Sequence, residues 1–159
     1  SIDRDLARSG NSLTKTSYSL LYINELLIKL LPKDAKQEDL FELYEVFIDK
    51  VISKIDIEIT LRHFELDLLD MLGYGFNYHT DVDKDDLIDS NQGYLFVPEK
   101  GFRKSDRSDF LGKDIINIKN RRLNKVSKKH LKEITIKAIS ACLDGKELTS
   151  RKIFRRIKQ

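Results

Sequence analysis

The sequence predicts a mainly α fold, a helical bundle in one domain with a small β-hairpin inserted. Three observations lead there. Apolar residues recur at helical spacing in three stretches of the first half, joined by short connections. That period breaks at Gly75 and gives way to polar, acidic sequence. Then Gly93 to Pro98, GYLFVP, alternates as a strand does, and Glu99 to Gly101 supplies a turn toward a partner strand opening at Phe102. Helix is expected over about 17–75 and 110–157, with loop and hairpin over 76–109.

In chain order, residues 1–15 mix small and polar side chains around Gly10 and Asn11 and read as an irregular lead-in. A helix is predicted from Ser17 to Leu31, burying Leu20, Ile23, Leu27, Leu30 and Leu31, and Pro32 ends it. A second runs from Gln37 to Ile55 on Leu40, Tyr44, Phe47, Ile48, Val51 and Ile55. Glu38 and Asp39 suit its positive end, and Lys50 and Lys54 its negative end. The third, LRHFELDLLDMLGYG, buries Ile57, Leu61, Phe64, Leu68, Met71 and Leu72, and Gly73 and Gly75 stop it. Beyond the hairpin, Phe110 to Ile118 reads as a short helix. Ser127 is the expected N-cap of a helix reaching Leu143, with Leu131, Ile134, Ala138 and Ala141 inward and Gly145 as its stop. Ser150 caps a last helix on Ile153, Phe154 and Ile157.

The length suits one domain with a real core. A single cysteine, Cys142, excludes an internal disulfide and fits a reducing compartment. No apolar run approaches a membrane span and no signal peptide is visible. The chain starts at Ser1 and not at a methionine, so an upstream segment is expected to have been removed. Net charge is +3, unevenly placed: residues 1–99 hold 10 basic and 20 acidic side chains, residues 100–159 hold 19 and 6. Such a split suggests a surface for a polyanion carried on an acidic scaffold, or two halves that neutralise each other.

Catalysis finds little support. Cys142 lies on the apolar side of its helix, and His63, His79 and His130 have no metal-ligand spacing. There is no phosphate-binding glycine loop. Asp81, Asp83, Asp85 and Ile88 imitate a calcium loop, but Asp86 stands where glycine should and Gln92 where a bidentate glutamate should, so a mobile acidic loop is expected. No catalytic residue, metal or cofactor is assigned. The positive signal is basic. Arg103, Lys104 and Arg107 form one cluster; Arg121, Arg122, Lys125, Lys128, Lys129 and Lys132 a second; Arg151, Lys152, Arg155, Arg156 and Lys158 a third. Lysine-rich clusters without interleaved aromatics suit phosphate contact more than base reading; the other reading is a solvated charged face. On the third helix, Arg62 projects about a quarter turn from the buried stripe with Leu66 and Leu69 beside it. Either Arg62 pairs with Glu65 and the leucines complete the core, or the three receive a partner carrying a carboxylate and an apolar group.

Four runs, LLYINELLIKLLP (20–32), LRHFELDLLDMLGYG (61–75), YLFVPEKGF (94–102) and GKELTSRKIFRRI (145–157), resemble the C-terminal part of the RecO family of bacterial recombination mediators. Their order and approximate spacing match as well. The resemblance implies a helical domain with a small, degenerate zinc-finger-like insertion, following a DNA-binding OB-fold that this chain lacks. Many members carry four cysteines in the insertion; here Asp81 stands near the first such place and no cysteine follows before Cys142, so a zinc site is expected to be lost. The implied activity is not enzymatic: annealing of single strands, work with RecR, and help for RecA in replacing the single-stranded-DNA-binding protein, SSB. Implied partners are the acidic, phenylalanine-terminated tail of SSB, RecR, and single- and double-stranded DNA, with no membrane. The implied setting is the bacterial cytoplasm, at the nucleoid. In the family the tail site lies at the first basic position of the LRxFEL motif, which is Arg62 here, and this favours the partner reading of Arg62, Leu66 and Leu69. An unrelated helical nucleic-acid-binding domain remains the alternative.

Overall fold

A computed structural model describes residues 2–31, 37–53 and 56–143, with side chains from Lys15 onward apart from that of Gln37. The elements are α1 (Ile2–Leu30), α2 (Gln37–Ile52), α3 (Ile57–Met71), β1 (Gly93–Val97), β2 (Gly101–Lys104), β3 (Phe110–Leu111), α4 (Gly112–Lys119) and α5 (Lys125–Cys142). The protein is mainly α with a small antiparallel sheet. The last helix predicted, with its Ser150 cap and the Gly145 stop before it, lies outside the described residues. What is described forms two compact units, divided within α3 after Phe64.

In the first unit, α1 starts at Ile2 and not at Ser17. The predicted irregular lead-in is helical because Gly10 and Asn11 each cost a helix only about 1 kcal/mol or less. Leucines at 6, 13, 20 and 27 keep a seven-residue spacing straight through them. The buried stripe centres on Tyr22, Ile23 and Leu26, a step round from the predicted Leu20, Ile23 and Leu27. α2 contributes Phe47, whose ring meets Phe64 of α3 edge-on at 5.5 Å. It runs to Ile52, and Ser53 donates both its N–H and its hydroxyl to the Asp49 carbonyl; the predicted Lys54 and Ile55 lie outside the described residues. Asp56 caps α3: its Oδ1 accepts the N–H groups of Glu58 and Ile59 at 3.0 and 3.2 Å, a cap worth about 0.5–2 kcal/mol.

The second unit runs from Glu65 through α5. α3 ends in a Schellman turn: Tyr74 N–H donates to the Leu69 carbonyl, Gly73 N–H to that of Asp70, and Gly73 takes φ 82°. Met71 is 37% exposed, against expectation, because the helix buries Leu66, Leu68 and Leu69 instead. The sheet order is β2-β1-β3, with Phe96 opposite Phe102 and Tyr94 opposite both Lys104 and Phe110. Tyr94 and Phe96 point inward, as the alternation predicts. Phe110 was expected to open a helix. It pairs as β3 instead, because burial of its ring edge-on to Phe102, at 6.3 Å, outweighs a helical period, and α4 begins two residues later. Gly112 passes so close to the turn before β1 that a Cβ there would lie 1.8 Å from the Asp89 carbonyl oxygen.

The acidic stretch, predicted as a mobile loop, holds a hydrogen-bonded turn. Thr80 and Leu87 form a bridge, and Val82 N–H donates to the Phe102 carbonyl. Asp81, 4% exposed, closes the turn. Its Oδ1 accepts the N–H groups of Asp83 and Lys84 at 2.9 and 2.8 Å, and its Oδ2 that of Lys104 at 2.6 Å.

Candidate nucleic-acid interface

The site is built on the start of α5. Asn124 caps the helix by accepting the Ser127 N–H at 2.8 Å, and the Ser127 hydroxyl accepts the Asn124 N–H at 2.8 Å. Ser127 is thus the third residue of a capping box and not the cap itself. Leu131, Ile134 and Ala138 fasten the helix inward as predicted, with Thr135 and Ile139 also buried; Ala141 is half-buried. This leaves Lys125, Lys129 and Lys132 exposed and Lys128 half-buried over the first two turns, with no acidic residue in the first. A helix N-terminus already carries partial positive charge, so Lys125 in the first turn lowers stability by about 0.3–1 kcal/mol. Lys125, Lys129 and Lys132 have no ion pair among the described residues. The fold places charge where its own electrostatics disfavour it.

The remaining basic residues divide. Arg121 follows α4 in a second Schellman turn, with Arg122 N–H donating to the Asn117 carbonyl. At φ 53° it holds a left-handed conformation usual for glycine. Its guanidinium grips the Asp67 carboxylate, so it is engaged within the fold. Arg103 donates to Asp83 at 2.8 Å and is likewise paired. Lys104, Arg107 and Arg122 are exposed. Arg151, Lys152, Arg155 and Arg156 lie outside the described residues.

Beside the α5 lysines is a cleft of about 370 Å3 that the sequence did not suggest. Phe110, Leu111, Lys113, Asp114, Val126 and His130 line it. His130 meets the Phe110 ring edge-on at 5.0 Å, and its Nε2 lies 3.9 Å from Asp114 Oδ2. The only sequence signal was His130 among lysines.

The predicted tail residues sit on one helix. Arg62 is 9% exposed, Leu66 6% and Leu69 1%, so the leucines are core side chains. Asp81 sits where burial would raise its pKa, but three backbone N–H groups outweigh that and hold it below the ordinary carboxylate value. Asp70 is raised, by burial and then by Asp67. Cys142 is pushed up to about 11 by burial and by the charge of Glu99, which makes it a poor nucleophile. Among the described residues no three His, Cys, Asp or Glu side chains are placed to hold a metal ion, and no helix is long and apolar enough to cross a membrane.

Residues 12–152 match the family described as Recombination protein O C terminal. The chain is 34% identical over 140 residues to the DNA repair protein RecO of Psychromonas ingrahamii, covering 84% of this chain and 60% of that one. To its namesake in Vibrio vulnificus it is 36% identical over 141 residues, covering 86% and 58%. For that of Pseudoalteromonas atlantica the figures are 32% over 142 residues, 87% and 59%. The chain thus spans about three-fifths of the length of the relatives it matches. By this match it belongs to the RecO C-terminal family.

Proposed function

We propose that this chain is a non-enzymatic binding module of recombinational DNA repair, holding DNA through phosphate contacts at the start of α5. The observation that carries this reading is that Lys125, Lys129 and Lys132 are exposed and without an ion pair among the described residues at the start of a helix, where terminal backbone N–H groups favour the same anion. Phosphate contact releases counterions, so binding is weak, indifferent to sequence and steeply salt-dependent. Replacing Lys125, Lys129 and Lys132 together with alanine should weaken binding to a fluorescent oligonucleotide about tenfold or more at low salt. The slope of log affinity against log salt should flatten by about 2–3. An unchanged slope would assign the lysines another role.

Family membership supports a wider reading: single-strand annealing, RecA loading with RecR, and capture of the acidic SSB tail. For the tail the residues proposed are Arg62, Leu66 and Leu69 of the LRxFEL motif, with the guanidinium of Arg62 as the carboxylate contact. A guanidinium grips a carboxylate through two parallel hydrogen bonds. Loss of a charge-assisted bond costs about 1.5–3 kcal/mol, so Arg62→Ala should weaken a tail peptide roughly ten- to a hundredfold. Because Arg62 is 9% exposed, the variant is checked for folding, with Arg62→Lys as a milder second change. Unchanged affinity in a folded variant would move the tail site elsewhere.

A further inference from the structure

We propose that the cleft beside the α5 lysines receives one unstacked base of a DNA single strand, whose flanking phosphates lie on those lysines. The inference rests on the phosphate-contact reading and adds strand type and base insertion to it. The cleft, about 370 Å3, is of small-molecule size. Its apolar lining includes Leu111 and Val126, which are 43% and 52% exposed. Leu111 comes from the junction of β3 and α4, Val126 from the first turn of α5. Flat apolar faces of a base suit such walls.

The polar lining narrows the ligand. Asp114 is 2% exposed, yet its Oδ2 has no hydrogen bond among the described residues. His130 Nε2 stands 3.9 Å away and His130 Nδ1 3.8 Å from Glu133. Both distances exceed a hydrogen bond, so carboxylate and imidazole keep bonding capacity toward a ligand. A base edge offers donors and acceptors side by side and meets that mixture. A phosphate in the cleft would face Asp109 and Asp114. A lysine or arginine of a protein partner would have to pass Lys113, which lines the cleft, and Lys125 and Lys129, which adjoin Val126 and His130 in the chain. Those same lysines favour the phosphates on either side of an inserted base. Base stacking in single-strand-binding proteins is tolerant of sequence, in keeping with phosphate-led binding.

The test uses this chain and three probes of equal length at low salt: a mixed-sequence single strand, an abasic strand keeping every phosphate, and a duplex. The intact strand should bind roughly tenfold tighter than the abasic strand, the gain expected from burying the apolar faces of one base against Leu111 and Val126, and the duplex, whose bases stay stacked, should bind through phosphates alone and be insensitive to changes in the cleft. Leu111→Ser with Val126→Ser, both at exposed positions, should erase that gap and leave abasic binding unchanged. In the unaltered protein the His130 ring signals in NMR should shift with the intact strand and not with the abasic one. Equal affinity for intact and abasic strands, or a gap surviving in the double variant, overturns base insertion and leaves the phosphate reading standing. Failure of every probe to bind overturns both.

Discussion

The turn at 81–86 and the start of α5 each crowd like charges into a few residues, and the fold treats them in opposite ways. In the turn, Asp81 accepts three backbone N–H groups and Asp83 pairs with Arg103. Two of the turn's four aspartates are thus engaged in the fold. At the start of α5, Lys125, Lys129 and Lys132 stand near a positive helix end and have no ion pair among the described residues. Charge density alone therefore says little about function; charge left uncompensated does.

Of the changes that compare these two regions, Asp81→Ala should have the largest effect. It strands N–H groups around a side chain that is 4% exposed. A cost of about 2–4 kcal/mol is expected, a drop of roughly 5–12 °C in Tm by circular dichroism. Asp81→Asn, which keeps one accepting oxygen, should lose less. Acid should do the same reversibly. Asp81 has its pKa lowered from 3.8 by folding, so the unfolded chain takes up that proton first. Its contribution to stability is full above about pH 4 and fades as pH falls toward the folded value. Asp70, raised from the same 3.8, acts in the opposite sense: the folded protein takes its proton first, so its ionised form opposes folding as pH rises past 4. Tm measured from pH 7 to 3 should fall at the acid end, and the fall should be smaller in Asp81→Ala.

Of intermediate size, and opposite in sign, is the stability of the α5 variant. The triple alanine change that weakens DNA binding should leave Tm unchanged or raise it by a few degrees, since it removes a cation from a helix N-terminus. A fall in Tm would mean the lysines serve the fold, as the turn's aspartates do. Arg121 should show the smallest effect. Its pair with Asp67 is more than a third exposed on both sides and worth at most about 1 kcal/mol. Arg121→Gly loses the pair but relieves a left-handed backbone costing about 1 kcal/mol, so its Tm should stay near that of the parent. Arg121→Ala should fall about 1 kcal/mol below it. Neither should weaken DNA binding as much as Lys125→Ala.

Much of this was legible in the sequence, and the misses share a cause. The helical stripes, the β1–β2 hairpin and the lysine clusters follow from spacing along the chain, which one sequence displays in full. The pairing of Arg121 with Asp67 joins residues 54 apart, and that of Arg103 with Asp83 residues 20 apart. No local pattern announces either, so spacing alone groups two engaged arginines with the lysines. Phe110 has a helical period on paper; only the aromatic cluster of the sheet shows why it turns into β3. The cleft is assembled from β3, α4 and α5, and its one trace in the sequence is His130 among lysines. Leu66 and Leu69 were readable as core or as pocket, and burial puts them in the core.

Gly112 sets a limit on how this chain can change over generations. Most steric clashes admit a second mutation that trims the neighbour. Here the neighbour is the Asp89 carbonyl oxygen, a main-chain atom present whatever residue stands at 89. No point substitution can suppress a side chain at 112. The flanking positions, Leu111 and Lys113, are both exposed and free to drift, and with them the mouth of the cleft, while the backbone between them stays fixed.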